Sequence, residues 1–245
     1  MSAVDGCVGS RRSIEMRRIN ERSREMIKVW GEGRGFRVVW LLEEMGLPYA
    51  LRRVNLLEDL QNDPEFLAIN PAGFIPALQD GEVIMVESIA IMEYLMARHG
   101  PTPLAPAAYD PAFPLYQQFL HLSEAGLAAS IYFVSGARNI APEAERYNWS
   151  AGQAMEVFET RLGLVTRQLA RSLYVAGDAF TAADISVTYA LELADRNVGY
   201  PFGNVELAYM ARTRARDGYK RTMAACHDTR AWAERVAAGR SPTAP

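Results

Sequence analysis

Residues able to do chemistry cluster at three places in the first hundred positions. Gly31-Glu32-Gly33-Arg34-Gly35 is a turn-rich run leading into a helix, where backbone N–H groups stand beside a guanidinium. Ile75-Pro76 is an X-Pro bond, the one peptide type for which cis is cheap, although a proline there also suits the start of an edge strand. Glu87-Ser88 opens a helix. Its N-terminus offers unpaired N–H groups and partial positive charge, a seat for a carboxylate, and Ser is equally an ordinary cap. Other chemistries lack their residues. His99, His121 and His227 share no metal-ligand spacing, and no HExxH, GxSxG, Walker or dinucleotide fingerprint occurs. Cys7 and Cys226 form neither a CxxC pair nor a disulfide framework, so a reducing cytosol is the expected compartment. Glu124 sits in a polar cluster with Gln117, Gln118, His121 and Ser123, which suits solvent or a subunit contact.

The elements that must position these residues follow from periodicity and turn chemistry. Ile27 to Trp30 reads as a strand, and Val38, Leu41, Leu42 and Met45 mark a helix over Phe36–Met45, capped by Gly46 and stopped by Pro48. Tyr49–Asn55 reads as a second strand and the stretch around Pro64-Glu65-Phe66-Leu67 as a short helix. Pro76–Gln79 and Val83–Val86 flank Asp80-Gly81, a hairpin signal, and Glu87–Arg98 is helical up to Gly100-Pro101. The order strand-helix-strand-helix-strand-strand-helix implies a small mixed α/β sheet with helices on its faces. A proline-rich linker follows over 101–113, and beyond it strand signals vanish. Phe158, Leu162, Val165 and Leu169 form a helical stripe, Thr181-Ala182-Ala183-Asp184 has capping-box form, and helices are expected near Val205–Arg216 and Gly218–Cys226. The expected organisation is an extension over 1–26, an α/β domain over 27–100, an all-α domain over 114–228 and a tail over 229–245.

Composition excludes several function classes. The 245 residues are 49% hydrophobic and 22% charged, which fits a globular protein. A net charge of −3 gives no electrostatic case for nucleic acid or an anionic membrane. The apolar stretch Ala125–Val134 is too short for a bilayer span. Before Met26 the chain is rich in Arg and Glu and lacks an apolar targeting core, as expected of a disordered leader or of an upstream start codon ahead of Met26.

Four motifs in this order resemble the cytosolic glutathione S-transferases across about residues 27–228. They are Arg37–Tyr49 at the first helix and turn, Asn70-Pro71-Ala72-Gly73-Phe74-Ile75-Pro76, Val86-Glu87-Ser88, and Phe180-Thr181-Ala182-Ala183-Asp184-Ile185. The resemblance implies a thioredoxin-like N-terminal domain (βαβαββα), an all-α C-terminal domain, and a cytoplasmic homodimer that binds glutathione without a metal. It also implies roles. The bond before Pro76 is cis and leaves the Ile75 N–H and C=O free to pair with the cysteinyl unit like an added strand. Ser88 donates to the γ-glutamyl carboxylate and Glu87 accepts from the ammonium. Plant-type members place a His-Lys pair and a polar residue where this chain has Gln61, Asn62 and Phe74, so Gln61 and Asn62 hold the glycyl carboxylate without charge assistance. Glu124 lies on the helix that lines the electrophile site in the family.

The departure from the family concerns catalysis. A cysteine-type thiol ionises near pH 8.5, so its thiolate must be stabilised, and most members use a Tyr, Ser or Cys of the first loop. Here Arg34 and Gly35 stand where serine-type enzymes place serines, and the loop holds no hydroxyl or thiol. Arg34 and the backbone N–H groups of the turn remain, with Arg34 alternatively paired to Glu32 on the surface or touching substrate. The implied activity is conjugation of glutathione to a hydrophobic electrophile. Glutathione-dependent disulfide reduction, peroxidase or ether-cleaving lyase chemistry is the enzymatic alternative, and a non-catalytic glutathione-binding or regulatory protein is the alternative of another class.

Overall fold

The computed structural model describes residues 26–54 and 63–227. Cys7, Gln61, Asn62, the leader up to residue 25 and the tail from residue 228 lie outside the described residues. Strands β1 (Ile27–Trp30), β2 (Tyr49–Arg52), β3 (Ala77–Asp80) and β4 (Val83–Val86) form one sheet in the order β2-β1-β3-β4. β1 runs parallel to β2 and antiparallel to β3, which is itself antiparallel to β4. Alternation along the strands divides the core. Ile27, Val29 and Leu78 join the large cluster that includes α1 (Gly35–Met45) and α3 (Ser88–His99). Trp30 and Ala77 face the other way, onto Phe66 of α2 (Pro64–Ile69). The turn of the β3–β4 hairpin falls one residue later than the sequence suggests. Asp80 stays in β3, held by the Tyr94 hydroxyl at 2.9 Å and His99 Nε2 at 2.8 Å, and Gly81 alone takes the positive φ, at 60°.

Helix α1 is the centre of the molecule. Every residue from Gly35 to Leu42 is buried, as expected of a helix covered on all sides, and the helix ends at left-handed Gly46. One side packs on the sheet and the other on the helical half. That half comprises α4 (Phe113–Leu122), a π-turn (Ser123–Ala128), α5 (Ala129–Asn139), α6 (Trp149–Leu169), α7 (Ala182–Val198), α8 (Asn204–Arg214) and α9 (Asp217–Ala225). The first of these starts at Phe113, with Pro114 in its opening turn, where a missing N–H costs nothing. At the N-terminus of α7 the expected capping box is present: the Thr181 N–H donates to Asp184 Oδ2 at 2.8 Å. Helix α9 folds back on α1 through Arg216 to Glu44 at 2.7 Å, Arg221 to Glu43 at 2.6 Å, and the edge-on pair Trp40–Tyr219 at 5.0 Å.

On α4, Phe119 is buried in the core, while Leu115 and Leu122, partly exposed, pack against it. Among the described residues no helix is long and apolar enough to cross a membrane.

Candidate functional site

The three sequence motifs converge where β1, the β3–β4 hairpin and the helical half meet. In the antiparallel register Ala77 lies opposite Val86. Pro76 and Ile75 precede this pair on one strand, and Glu87 and Ser88 follow it on the other. The Ile75–Pro76 peptide is cis, as expected, and Gly100–Pro101 is a second cis bond that no sequence feature marked. Among the described residues the Ile75 N–H and C=O have no hydrogen-bond partner.

The glycine-rich turn packs over this dipeptide. Gly31 holds φ at 85°, and a Cβ there would lie 2.3 Å from Ile75 Cγ2. Gly35 faces Pro76 less tightly, since a Cβ there would come within 3.3 Å of Pro76 Cβ. So Gly31 is needed for close approach to Ile75 as well as for an N–H nest. Two N–H groups of the nest are already spent: Gly35 donates to the Glu32 carbonyl at 2.9 Å and Phe36 to the Gly33 carbonyl at 3.0 Å. Glu32 is buried rather than on the surface.

Arg34 instead reaches across to the helical half. Its Nε donates to Glu124 Oε1 at 2.8 Å, and its guanidinium lies 5.4 Å from the Tyr132 ring. Glu124 also accepts from Arg37 Nη2 through its other oxygen. Burial alone would raise the Glu124 carboxyl, but the charges and hydrogen bonds of Arg37 and Arg34 outweigh it and hold the group below the usual carboxylate range. Burial likewise pulls the Arg34 guanidinium down, and Glu124 more than compensates.

The polar cluster around Glu124 does not stay together. Ser123 is buried and donates to the Leu120 carbonyl at 2.7 Å, whereas His121 lies on the surface against Glu93 at 3.2 Å. Only Glu124 turns into the site, from within the π-turn, a geometry concentrated at functional sites.

Arg37 went unnoticed as a site residue in the sequence. It is fully buried, donates from Nη1 to Ser88 Oγ at 3.1 Å, and lies 4.3 Å from the Tyr189 ring. A signal existed: a helix flanked by Phe36, Val38, Val39 and Trp40 has no polar face for an arginine, so a buried partner had to be found for it. Ser88 is 2% exposed and opens α3, while Glu87 is exposed at its N-cap with φ 72° and makes no side-chain cap bond. Beyond Tyr132, a cavity of about 660 Å³ is lined by Phe133, Gly136, Ile140 and Ala151.

Known proteins share this fold. A family model described as glutathione S-transferase, N-terminal domain, matches residues 35–98. Glutathione S-transferase 3 of Schizosaccharomyces pombe is 31% identical over 176 residues, covering 67% of this chain and 72% of that protein. Glutathione S-transferase 3 of Zea mays is 32% identical over 158 residues, covering 60% and 68%. Among solved structures, the theta-class glutathione S-transferase of Xanthomonas axonopodis pv. citri, with glutathione bound, superposes with a TM-score of 0.69 at 27% identity over 81% of this chain and 97% of that one. A glutathione transferase family member from Pseudomonas fluorescens, with two glutathione bound, gives 0.71 at 26% identity over 82% and 93%. With the mixed sheet, the helical half and the Ile75-Pro76 and Glu87-Ser88 motifs all in place, the chain belongs to the glutathione S-transferase family.

Proposed function

We propose that this glutathione transferase binds glutathione along Ile75, Pro76, Glu87 and Ser88 and joins its thiolate to a hydrophobic electrophile. The observation that carries this is the Ile75 N–H and C=O, unpaired among the described residues just ahead of β3, whose Ala77 pairs with Val86 just ahead of α3. An extended cysteinyl unit can pair with that edge, and the γ-glutamyl carboxylate then falls where the α3 N–H groups, the dipole and the Ser88 hydroxyl converge. Exposed Glu87 is free to accept from the ammonium, with Gln61 and Asn62 left for the glycyl carboxylate. Arg34 supplies the positive charge that favours thiolate over thiol. The thiolate attacks the electrophilic carbon, forming the C–S bond as the leaving group departs with its electron pair. Tyr132 and Phe133, 61% and 67% exposed beside the cavity, give an apolar electrophile a surface to meet.

A second reading, glutathione-dependent disulfide, peroxide or ether chemistry, is favoured by one observation: Gly31–Gly35 holds no hydroxyl or thiol to hydrogen-bond the sulfur. Assembly as a homodimer belongs to the same proposal, supported by exposed Val83 and Ile84 on the outer strand of the sheet.

Calorimetric titration of glutathione into the wild type, Glu87→Ala and Ser88→Ala tests the site. Losing a hydrogen bond to a charged group costs about 1.5–3 kcal/mol, so each variant should bind roughly ten- to hundred-fold more weakly, with little change in stability for exposed Glu87→Ala and a loss of about 1–3 kcal/mol for Ser88→Ala, which orphans an Arg37 donor. Unchanged affinity in both removes the assignment.

A further inference from the structure

Arg37 and Glu124 lie behind the proposed ligand contacts rather than among them. Arg37 is fully buried, and its guanidinium carries donors only. Because Nη1 donates to Ser88 Oγ at 3.1 Å, that oxygen must accept, and the Ser88 hydroxyl hydrogen must point elsewhere. Among the described residues nothing receives it, although Ser88 is 98% buried by its 2% exposure. A buried hydroxyl with an unspent hydrogen at a helix N-terminus is prepared for an acceptor supplied from outside. Arg37 in turn is fixed by Glu124 on one side and the Tyr189 ring on the other. Glu124 sits in the π-turn, so the lock on Ser88 comes from the helical half of the chain.

We propose that Arg37, seated on Glu124, is a positioning residue that makes Ser88 an obligate donor and so selects ligands carrying a carboxylate at that point. The inference rests on the glutathione site proposed above. It adds that discrimination is set one residue behind the contact, by a buried guanidinium that never touches the ligand.

The test compares glutathione with 4-aminobutanoyl-cysteinyl-glycine, which lacks the γ-glutamyl carboxylate, by calorimetry on wild type, Ser88→Ala, Arg37→Met and the double variant. Wild type should prefer glutathione on the order of ten- to hundred-fold. Ser88→Ala and Arg37→Met should each shrink that ratio at least threefold, the α3 N–H groups and dipole supplying what remains, and the double variant should lose no more than Ser88→Ala alone, because the two residues act as one unit. An Arg37→Met protein that binds both ligands more weakly but keeps the wild-type ratio overturns the proposal and leaves the site standing. A wild type that does not discriminate brings down the site assignment as well. If Arg37→Met does not fold, Glu124→Gln carries the test. A ratio at least threefold below wild type supports the proposal, and an unchanged one overturns it.

Discussion

Asp184 offers a measurable test of what holds the helical half in place. Its carboxylate is fully buried and accepts four hydrogen bonds: the Val175 N–H and the Tyr209 hydroxyl reach Oδ1, both at 3.0 Å, and the Thr181 N–H and Oγ1 reach Oδ2 at 2.8 and 3.1 Å. One side chain thereby ties the segment before α7, the α7 cap and helix α8 together. Asp184→Asn keeps the shape but turns one oxygen into an NH2 group. Whichever way the amide lies, that group meets one backbone N–H, which loses its acceptor, and one hydroxyl, which can turn and accept from it. A buried unsatisfied group costs about 1–3 kcal/mol, so the expected loss is about 1–3 kcal/mol. At about 2–4 °C per kcal/mol for a chain of this size, Tm should fall on the order of 2–12 °C. Urea unfolding should show a lower midpoint at an unchanged m-value.

The same residue predicts a pH signature. Burial pushes Asp184 from 3.8 up to about 6, against the four donors that pull it down. Between the unfolded and folded values the native state binds the extra proton, so the contribution of this group to stability rises as pH falls from about 6 towards 3.8. The variant lacks that contribution, and the gap between it and the wild type should widen from pH 7 to pH 5. A gap under about 1 kcal/mol at pH 7 would refute the hydrogen-bond accounting. A gap that narrows on acidification would show that the donors, not burial, set the ionisation.

Three further outcomes follow from the site. Arg34→Ala should raise the thiol pKa of bound glutathione by about one unit and slow conjugation while affinity changes less; thiolate absorbance against pH reads this directly, and an unshifted pKa would discard Arg34 as the stabiliser. Gly31→Ala places a methyl 2.3 Å from Ile75 Cγ2 at a φ of 85°, so it should lose about 1–3 kcal/mol in urea unfolding and bind glutathione more weakly. Light scattering should return about twice the 27.2 kDa chain mass, and a stable monomer at micromolar concentration would contradict the homodimer.

Element type was legible wherever a local rule decided it: the Gly46 cap, the Thr181–Asp184 box, the paired β3 and β4 runs, and the helical stripe from Phe158 to Leu169. The cis Ile75–Pro76 bond was legible only through the surrounding motif, and Gly100–Pro101, which has no such motif, was missed. Long-range pairings were not legible, because no spacing in the chain links Arg34 or Arg37 to Glu124, 90 and 87 residues away. Likewise, the glycines of the first turn announced conformational freedom, and only the structure showed Ile75 pressed against them.

The charge count of the Arg34–Arg37–Glu124 cluster bears on how a loop without a hydroxyl could activate a thiol. Glu124 is held below its usual range despite its burial, and it accepts from both arginines. Two cations therefore share this one carboxylate at the junction of the two halves. A hydroxyl offers a thiolate one hydrogen bond, whereas a guanidinium adds a full positive charge to the hydrogen bond it donates. Arg34 spends Nε on Glu124 and retains the Nη groups, so pairing with Glu124 orients the cation without exhausting it. On this account Glu124 serves both ends of the ligand, aiming Arg34 at the sulfur and seating Arg37 behind Ser88. Removing its charge should therefore disturb thiol ionisation and carboxylate selection together, a coupling that two unconnected contacts would not produce.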